Sequence, residues 1–255
     1  MMKNLFMIVL IFIISNKSFG QTKTIHVFVA LCDNLNQGIV PVPKTLGNGQ
    51  DPNSNLYWGA AFGIKNYFKN KTKDWIFIKS YPSENPNILE RLLFKHATEN
   101  VYMLADAYDG KRIKECTSDF LKASNQQNPL ILKHDNLTLS FGGASQLVSY
   151  IGHDGLMDFN LDIEFQPTNK KKVDVIILAC FSKKYFTTKI QNANALPILW
   201  TTHLMAPEAY TLKSAIDGWI LKESGSAIKE RAAQTYHKYQ KCGIKGARNL
   251  FATGF

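Results

Sequence analysis

Two stretches of this chain, LVSYIG at 147–152 and VDVIILAC at 173–180, are near-continuous apolar runs without the polar alternation of a half-exposed strand. Strands that read this way are buried on both faces, and such strands occur in parallel sheets covered by helices. They therefore commit the chain to an α/β architecture, with other segments supplying the cover.

The rest of the pattern fits. IHVFVAL at 25–31 reads as the first strand, WIFIKS at 75–80 as another, VYMLADA at 101–107 as a third and LPILW at 196–200 as a late one. Between them, LYWGAAFGIKNYF at 56–68 has apolar residues at helical intervals, with Asn55 as a possible cap. NPNILERLLFKHA at 85–97 reads as a helix with Pro86 in its first turn. GKRIKECTSDFLKAS at 110–124 presents Ile113, Cys116, Phe120 and Leu121 on one side, which makes Cys116 a core residue. Two helices, at about 207–222 and 226–240, close the chain. The segment 34–55 carries too many prolines and glycines for regular structure, and a loop of that length in a compact domain is usually functional or mobile.

With 255 residues, 45% of them hydrophobic, the chain has enough apolar material for one substantial core. Residues 1–20 stand apart. Lys3, an apolar centre at 5–14 and the small residues Ser18 and Gly20 have the layout of a secretory signal with cleavage before Gln21. The expected mature protein is a single domain over 21–255, exported to a periplasm or the exterior, with no transmembrane segment. The formal net charge is +10, of which the leader's Lys3 and Lys17 carry two. The lysines are scattered, their one short run at 170–172 reads as a solvated loop, and no aromatic-interleaved basic stripe marks a nucleic-acid binder.

The four cysteines, Cys32, Cys116, Cys180 and Cys242, show no zinc spacing, and no metal or organic cofactor is implied. Two side chains matter by position. Open parallel sheets bind ligands beyond the carboxyl ends of their strands, and His153 and Cys180 both stand at such ends, one crossover apart. An imidazole beside a thiol can take its proton and later protonate a leaving amine. Taken singly, a histidine there is an ordinary strand-end cap and a cysteine a small buried hydrophobe; it is the pair that points to nucleophilic catalysis.

An apolar strand ending in His-Gly followed by one ending in Ala-Cys or Asp-Cys is the dyad arrangement of caspases, metacaspases, legumains, gingipains and separases, and QLVSYIGHDG and VDVIILAC resemble those two motifs. VFVALCDN and VYMLADAYDGKRIKECTSDFL are similar to further metacaspase segments. The resemblance implies a caspase-like three-layer sandwich with a mostly parallel central sheet. It implies a cysteine peptidase acting on peptide or protein substrates, with His153 as general base, Cys180 as nucleophile, and an oxyanion held by backbone N–H groups near Gly155 and Cys180. In those families glycine directly follows the histidine, whereas here Asp154 intervenes before Gly155. A chain that keeps such a fold without turnover, as a binding or assembly module, is the competing expectation.

The same resemblance makes Trp200, Thr202 and His203, at the end of the next strand, candidate walls of a specificity pocket. Asp33, Asp154 and Glu208 are alternative sources of negative charge for a basic substrate side chain. Cys32 ends the first strand and is either a redox partner of Cys180, whose disulfide would silence a peptidase until reduced, or a second thiol near it, or a packed core residue. His26, His96, His134 and His237 read as structural, Cys242 as free or structural, and Asn136-Leu137-Thr138 matches a glycosylation acceptor.

Overall fold

The structure, a computed structural model, describes residues 22–255; the expected leader and its cleavage point lie outside the described residues. The chain runs β1 (Lys23–Ala30), α1 (Ile64–Asn70), β2 (Trp75–Ser80), β3 (Ile88–His96), β4 (Val101–Tyr108), α2 (Ile113–Ser124), β5 (Pro129–His134), β6 (Leu137–Gly142), β7 (Leu147–Ile151), β8 (Asp174–Leu178), α3 (Ser182–Asn192), β9 (Leu196–Thr201), α4 (Ala209–Ile220), α5 (Gly225–Gln240), α6 (Ile244–Leu250) and β10 (Phe251–Ala252).

Eight strands form one mixed sheet in the order β10-β9-β8-β7-β1-β4-β3-β2, with β5 and β6 forming a separate hairpin. The pairs β9–β8, β8–β7, β7–β1 and β1–β4 are parallel, and the outer pairs are antiparallel. Successive side chains of a strand point to opposite faces. Val27 and Val29 of β1 accordingly join an apolar cluster with Phe68 of α1, Leu212 and Ile216 of α4 and Ala232 of α5. Phe28 and Ala30 join another with Phe120 of α2 and Phe186 of α3. Cys116 belongs to this second cluster and is fully buried. Leaving water contributes roughly 1.5–3 kcal/mol for each fully buried side chain of that size. Among the described residues, no helix is long and apolar enough to cross a membrane.

Two expectations are corrected. The segment read as a helix over 85–97 is strand β3, antiparallel to β4. Its Leu92 and Phe94 face the first cluster, while Leu93 faces a third, where Leu132, Leu139 and Phe141 of the β5–β6 hairpin cover it. Leucines three and four apart satisfied a helical period, but a strand buried on both faces needs no alternation, and pairing with β4 decides the outcome. The helix read over 56–68 is confined to Ile64–Asn70; residues 56–63 form turns, held where Asn55 Oδ1 accepts from Tyr57 N at 3.1 Å and Cys32 N at 3.0 Å.

The long segment after β1 is shaped by its own polar side chains. Asn34 exchanges two hydrogen bonds with the Val42 backbone, at 2.8 and 3.0 Å, and Gln37 Nε2 donates to the carbonyls of Leu31 and Gly110 at 2.8 and 2.9 Å. It is thereby folded over the carboxyl edge of the sheet.

Candidate functional site

β7 and β8 pair in parallel with Ile151 opposite Leu178, and Gly152 N donates to Leu178 O at 3.4 Å. His153 and Cys180 each stand two residues past that paired position, so both pass the same edge of the sheet at matched places. Ile151 and Leu178 belong to the cluster that contains α4 and α5, and Met205, whose N–H meets the Cys180 sulfur, packs against that same cluster. Gly152 makes the close approach possible. Its φ is +148°, and a Cβ there would stand 2.9 Å from the Ala30 carbonyl oxygen.

Both turns are locked. The buried Tyr150 hydroxyl donates to the His153 carbonyl at 2.7 Å. After Cys180, Phe181 adopts the left-handed conformation at φ +50°, a costly state for an aromatic residue, and its N–H donates to His203 O at 3.0 Å. Ser182 Oγ, at the first turn of α3, donates to Ile177 O at 2.9 Å and lies 3.0 Å from Thr201 Oγ1, which in turn donates to Ala179 O. These two buried hydroxyls clamp the strand-to-helix turn that carries the thiol.

The Cys180 sulfur is half-buried beneath the chain that follows β9. Met205 N donates to it at 3.4 Å, and the thiol donates to Met205 O at 3.7 Å. Burial pushes this thiol above its ordinary pKa, the Met205 N–H pulls it partly back, and the charge of Asp154 adds to the rise. The resting group is thus a thiol, and attack needs a proton acceptor. His153 is nearly buried, and its Nε2 lies 2.7 Å from Asp158 Oδ2, which also accepts from Gly38 N at 3.0 Å. Among the described residues, no hydrogen bond joins His153 to Cys180.

The remaining candidates fall in different places. Asp154 is fully buried; Oδ1 accepts from Leu156 N at 3.0 Å, and Oδ2 has no partner. Burial, offset in part by that N–H and increased by Asp158, pushes its carboxyl up to about 7. Gly155 is buried against the Phe159 ring and Ile113, toward the α2 face. Asp33 is buried and opposed by desolvation, yet Gln50 Nε2, Asn36 Nδ2 and the N–H groups of Leu35 and Asn36 hold it below the ordinary carboxylate value. Its four donors make it the organiser of the β1 loop.

Trp200 does not line an opening: it is fully buried in the α2–α3 cluster with Phe255 against its ring. Thr202 and His203 do lie near the surface, joined at 2.8 Å between Thr202 Oγ1 and His203 Nδ1. Glu208 is half-buried, accepting from Tyr210 Oη at 2.6 Å and Gln240 Nε2 at 3.0 Å, and burial raises its carboxyl despite those donors.

Cys32 is sealed in the core, its thiol pushed up to about 11 by burial, with the Tyr57 hydroxyl lowering it and Asp33 raising it. All four cysteines are free thiols. His26 belongs to a buried ionic knot, 2.9 Å from Asp106, and so serves structure. Among the described residues, no group of three or more His, Cys, Asp or Glu is placed to hold a metal ion. A cleft of ≈ 1460 Å³ opens at the opposite edge of the sheet, beside Lys23, Val101, Asp174 and Leu196 at the amino ends of β1, β4, β8 and β9. It is lined by neither His153 nor Cys180.

The apolar runs placed His153 and Cys180 at neighbouring strand ends, as the register of β7 and β8 has them, but gave no signal for Asp158, Ser182 or Thr201 beside them. Compared with protein-family models, curated proteins and solved structures, this chain matches none.

Proposed function

We propose that this chain is an exported cysteine endopeptidase with a caspase-like, three-layer α/β fold. The observation that carries the reading is the register of β7 and β8, which delivers an imidazole and a thiol to one edge of the sheet at matched positions. The segments that meet there also present exposed apolar side chains, Leu35 and Val40 from the β1 loop, Met157 from the His153 turn and Leu204 beside the thiol's cover, as a surface for an unfolded polypeptide.

In this mechanism the Cys180 sulfur attacks the scissile carbonyl carbon while His153 takes the thiol proton. The Cys180 N–H faces the resulting oxyanion; Gly155 contributes only if its turn moves off Phe159. Collapse of the tetrahedral intermediate breaks the C–N bond, and His153 returns its proton to the amine. Water, deprotonated by His153, then cleaves the thioester and restores the thiol. No metal or organic cofactor enters these steps.

A non-catalytic binding or assembly module is the second reading. Asp154 after the histidine and a thiol raised by burial under Met205 favour it.

Incubation with a peptide library tests both. Cleavage lost in Cys180→Ala and in His153→Ala, and kept in Cys242→Ala, supports the peptidase. No cleavage, together with equal iodoacetamide labelling of Cys180 in wild type and His153→Ala, overturns it in favour of the module. N-terminal sequencing of protein recovered outside the cytoplasm should begin at Gln21.

A further inference from the structure

Asp158 lies five residues beyond His153, past the short turn at Gly155–Met157, and its Oδ2 is 2.7 Å from His153 Nε2. A carboxylate oxygen can only accept, so the ring proton belongs on Nε2 and Nδ1 is left as the acceptor. Among the described residues, Nδ1 makes no hydrogen bond. That is the tautomer a general base needs, and a ring held by one nitrogen through a carboxylate is how a base beside a nucleophile is commonly oriented.

The carboxylate is itself held. Gly38 N donates to the same Oδ2 at 3.0 Å, and a Cβ at Gly38 would stand 2.4 Å from Asp158 Oδ1, so a side chain there would push the carboxylate from its place. The loop after β1 and the turn after β7 thus meet at this oxygen. The Tyr150 hydroxyl fixes the His153 backbone from the other side, at 2.7 Å from its carbonyl.

We propose that Asp158 is the positioning residue of a Cys180–His153–Asp158 triad, fixing the imidazole in the tautomer that accepts the thiol proton, with Gly38 setting the carboxylate's place. This rests on the peptidase reading, but it is testable separately from turnover because it concerns only the reactivity of one thiol.

The experiment is iodoacetamide alkylation of Cys180 in the intact protein, followed by mass spectrometry at pH 7 and pH 10, in wild type, Asp158→Asn, Gly38→Ala and His153→Ala. Asp158 is about one-third exposed and asparagine keeps its shape, so the variant is expected to fold, with far-UV circular dichroism as the check. All three variants should slow alkylation at pH 7, Asp158→Asn and Gly38→Ala by about tenfold, the change in thiolate fraction carried by one pKa unit. At pH 10, where hydroxide can take the thiol proton in place of the imidazole, their rates should converge with wild type.

Slowing at pH 7 in His153→Ala alone overturns the role of Asp158 and leaves the dyad standing. Equal rates in all four proteins overturn both. Slowing of Asp158→Asn by the same factor at both pH values marks a loss of access instead of a lost base, and overturns the positioning role.

Discussion

A carboxyl group shut away from water, with one oxygen making no hydrogen bond, is costly to ionise, and Asp154 is in that position. Asp106 is equally buried yet behaves oppositely. Arg91 donates to it through Nε at 2.7 Å and Nη2 at 2.6 Å, and His26 Nε2 lies 2.9 Å away. These partners overcome the burial that would raise it and hold it below the ordinary value. The signs of the two stability contributions therefore differ. Asp154, raised from 3.8 to about 7, contributes stability that is full below its unfolded value and lost as pH rises through about 7. Asp154→Asn should thus match wild type near pH 4 and exceed it by up to a few kcal/mol at pH 8, at about 1.4 kcal/mol per pKa unit, in parallel urea titrations at the two pH values. A gap that does not widen with pH would show that Asp154 stays solvated. For Asp106 the contribution exists above its unfolded value and fades as pH falls, and removing the side chain strands the buried Arg91 guanidinium and leaves His26 Nε2 without its partner. Asp106→Ala should cost about 3–5 kcal/mol at pH 7 in the same titration.

At the scale of elements, the turn from β8 into α3 holds the Cys180 thiol in place, and its stability comes from a hydroxyl pair bridging β8, β9 and α3. Thr201→Val keeps the shape but leaves Ser182 Oγ and Ala179 O short of a partner. The loss should be about 1–3 kcal/mol by thermal or urea unfolding, with faster iodoacetamide labelling at Cys180 as the turn loosens. Unchanged stability would mean that the left-handed Phe181 and its bond to His203 suffice alone. This clamp was not legible beforehand, because nothing in the chain marks a serine and a threonine nineteen positions apart as partners. Asp158 escaped for a similar reason: it lies in a turn without periodicity, and only the fold brings it to the ring. The doubly buried strands β1, β4, β7 and β8 were legible as apolar runs, and with them the strand ends that carry His153 and Cys180. β3 was not, since Leu89, Leu92 and Leu93 fit a helical spacing as well as a buried strand. α3 escaped because only Ser182, Phe186 and Ile190 are buried along a helix otherwise rich in lysine and threonine. The β5–β6 hairpin has a plain two-residue alternation in Leu130, Leu132, Leu139 and Phe141, and the turn at Asp135-Asn136, with Asp135 at φ +49°, suits a tight hairpin. Its exposed tip carries the Asn136 acceptor pattern.

Across the whole molecule, the four thiols report on how the sheet's two faces depend on each other. Cys32 is buried in the cluster with α1, α4 and α5, Cys116 in the cluster with α2 and α3, Cys180 is half-buried and Cys242 is exposed. In native buffer, alkylation should therefore reach Cys242 first and Cys180 more slowly, leaving Cys32 and Cys116 protected. β1 lies between β4 and β7 and sends alternate residues into both clusters, Val27 and Val29 to one, Phe28 and Ala30 to the other. Neither face can be opened far without breaking the pairing of that central strand, so the two should unfold as one cooperative transition. Pulsed alkylation across a urea series, read by mass spectrometry, should give Cys32 and Cys116 the same midpoint. An earlier midpoint for Cys116 would show that the α2–α3 face detaches on its own, and the site, whose thiol hangs from the first turn of α3, would then be lost before the rest of the fold.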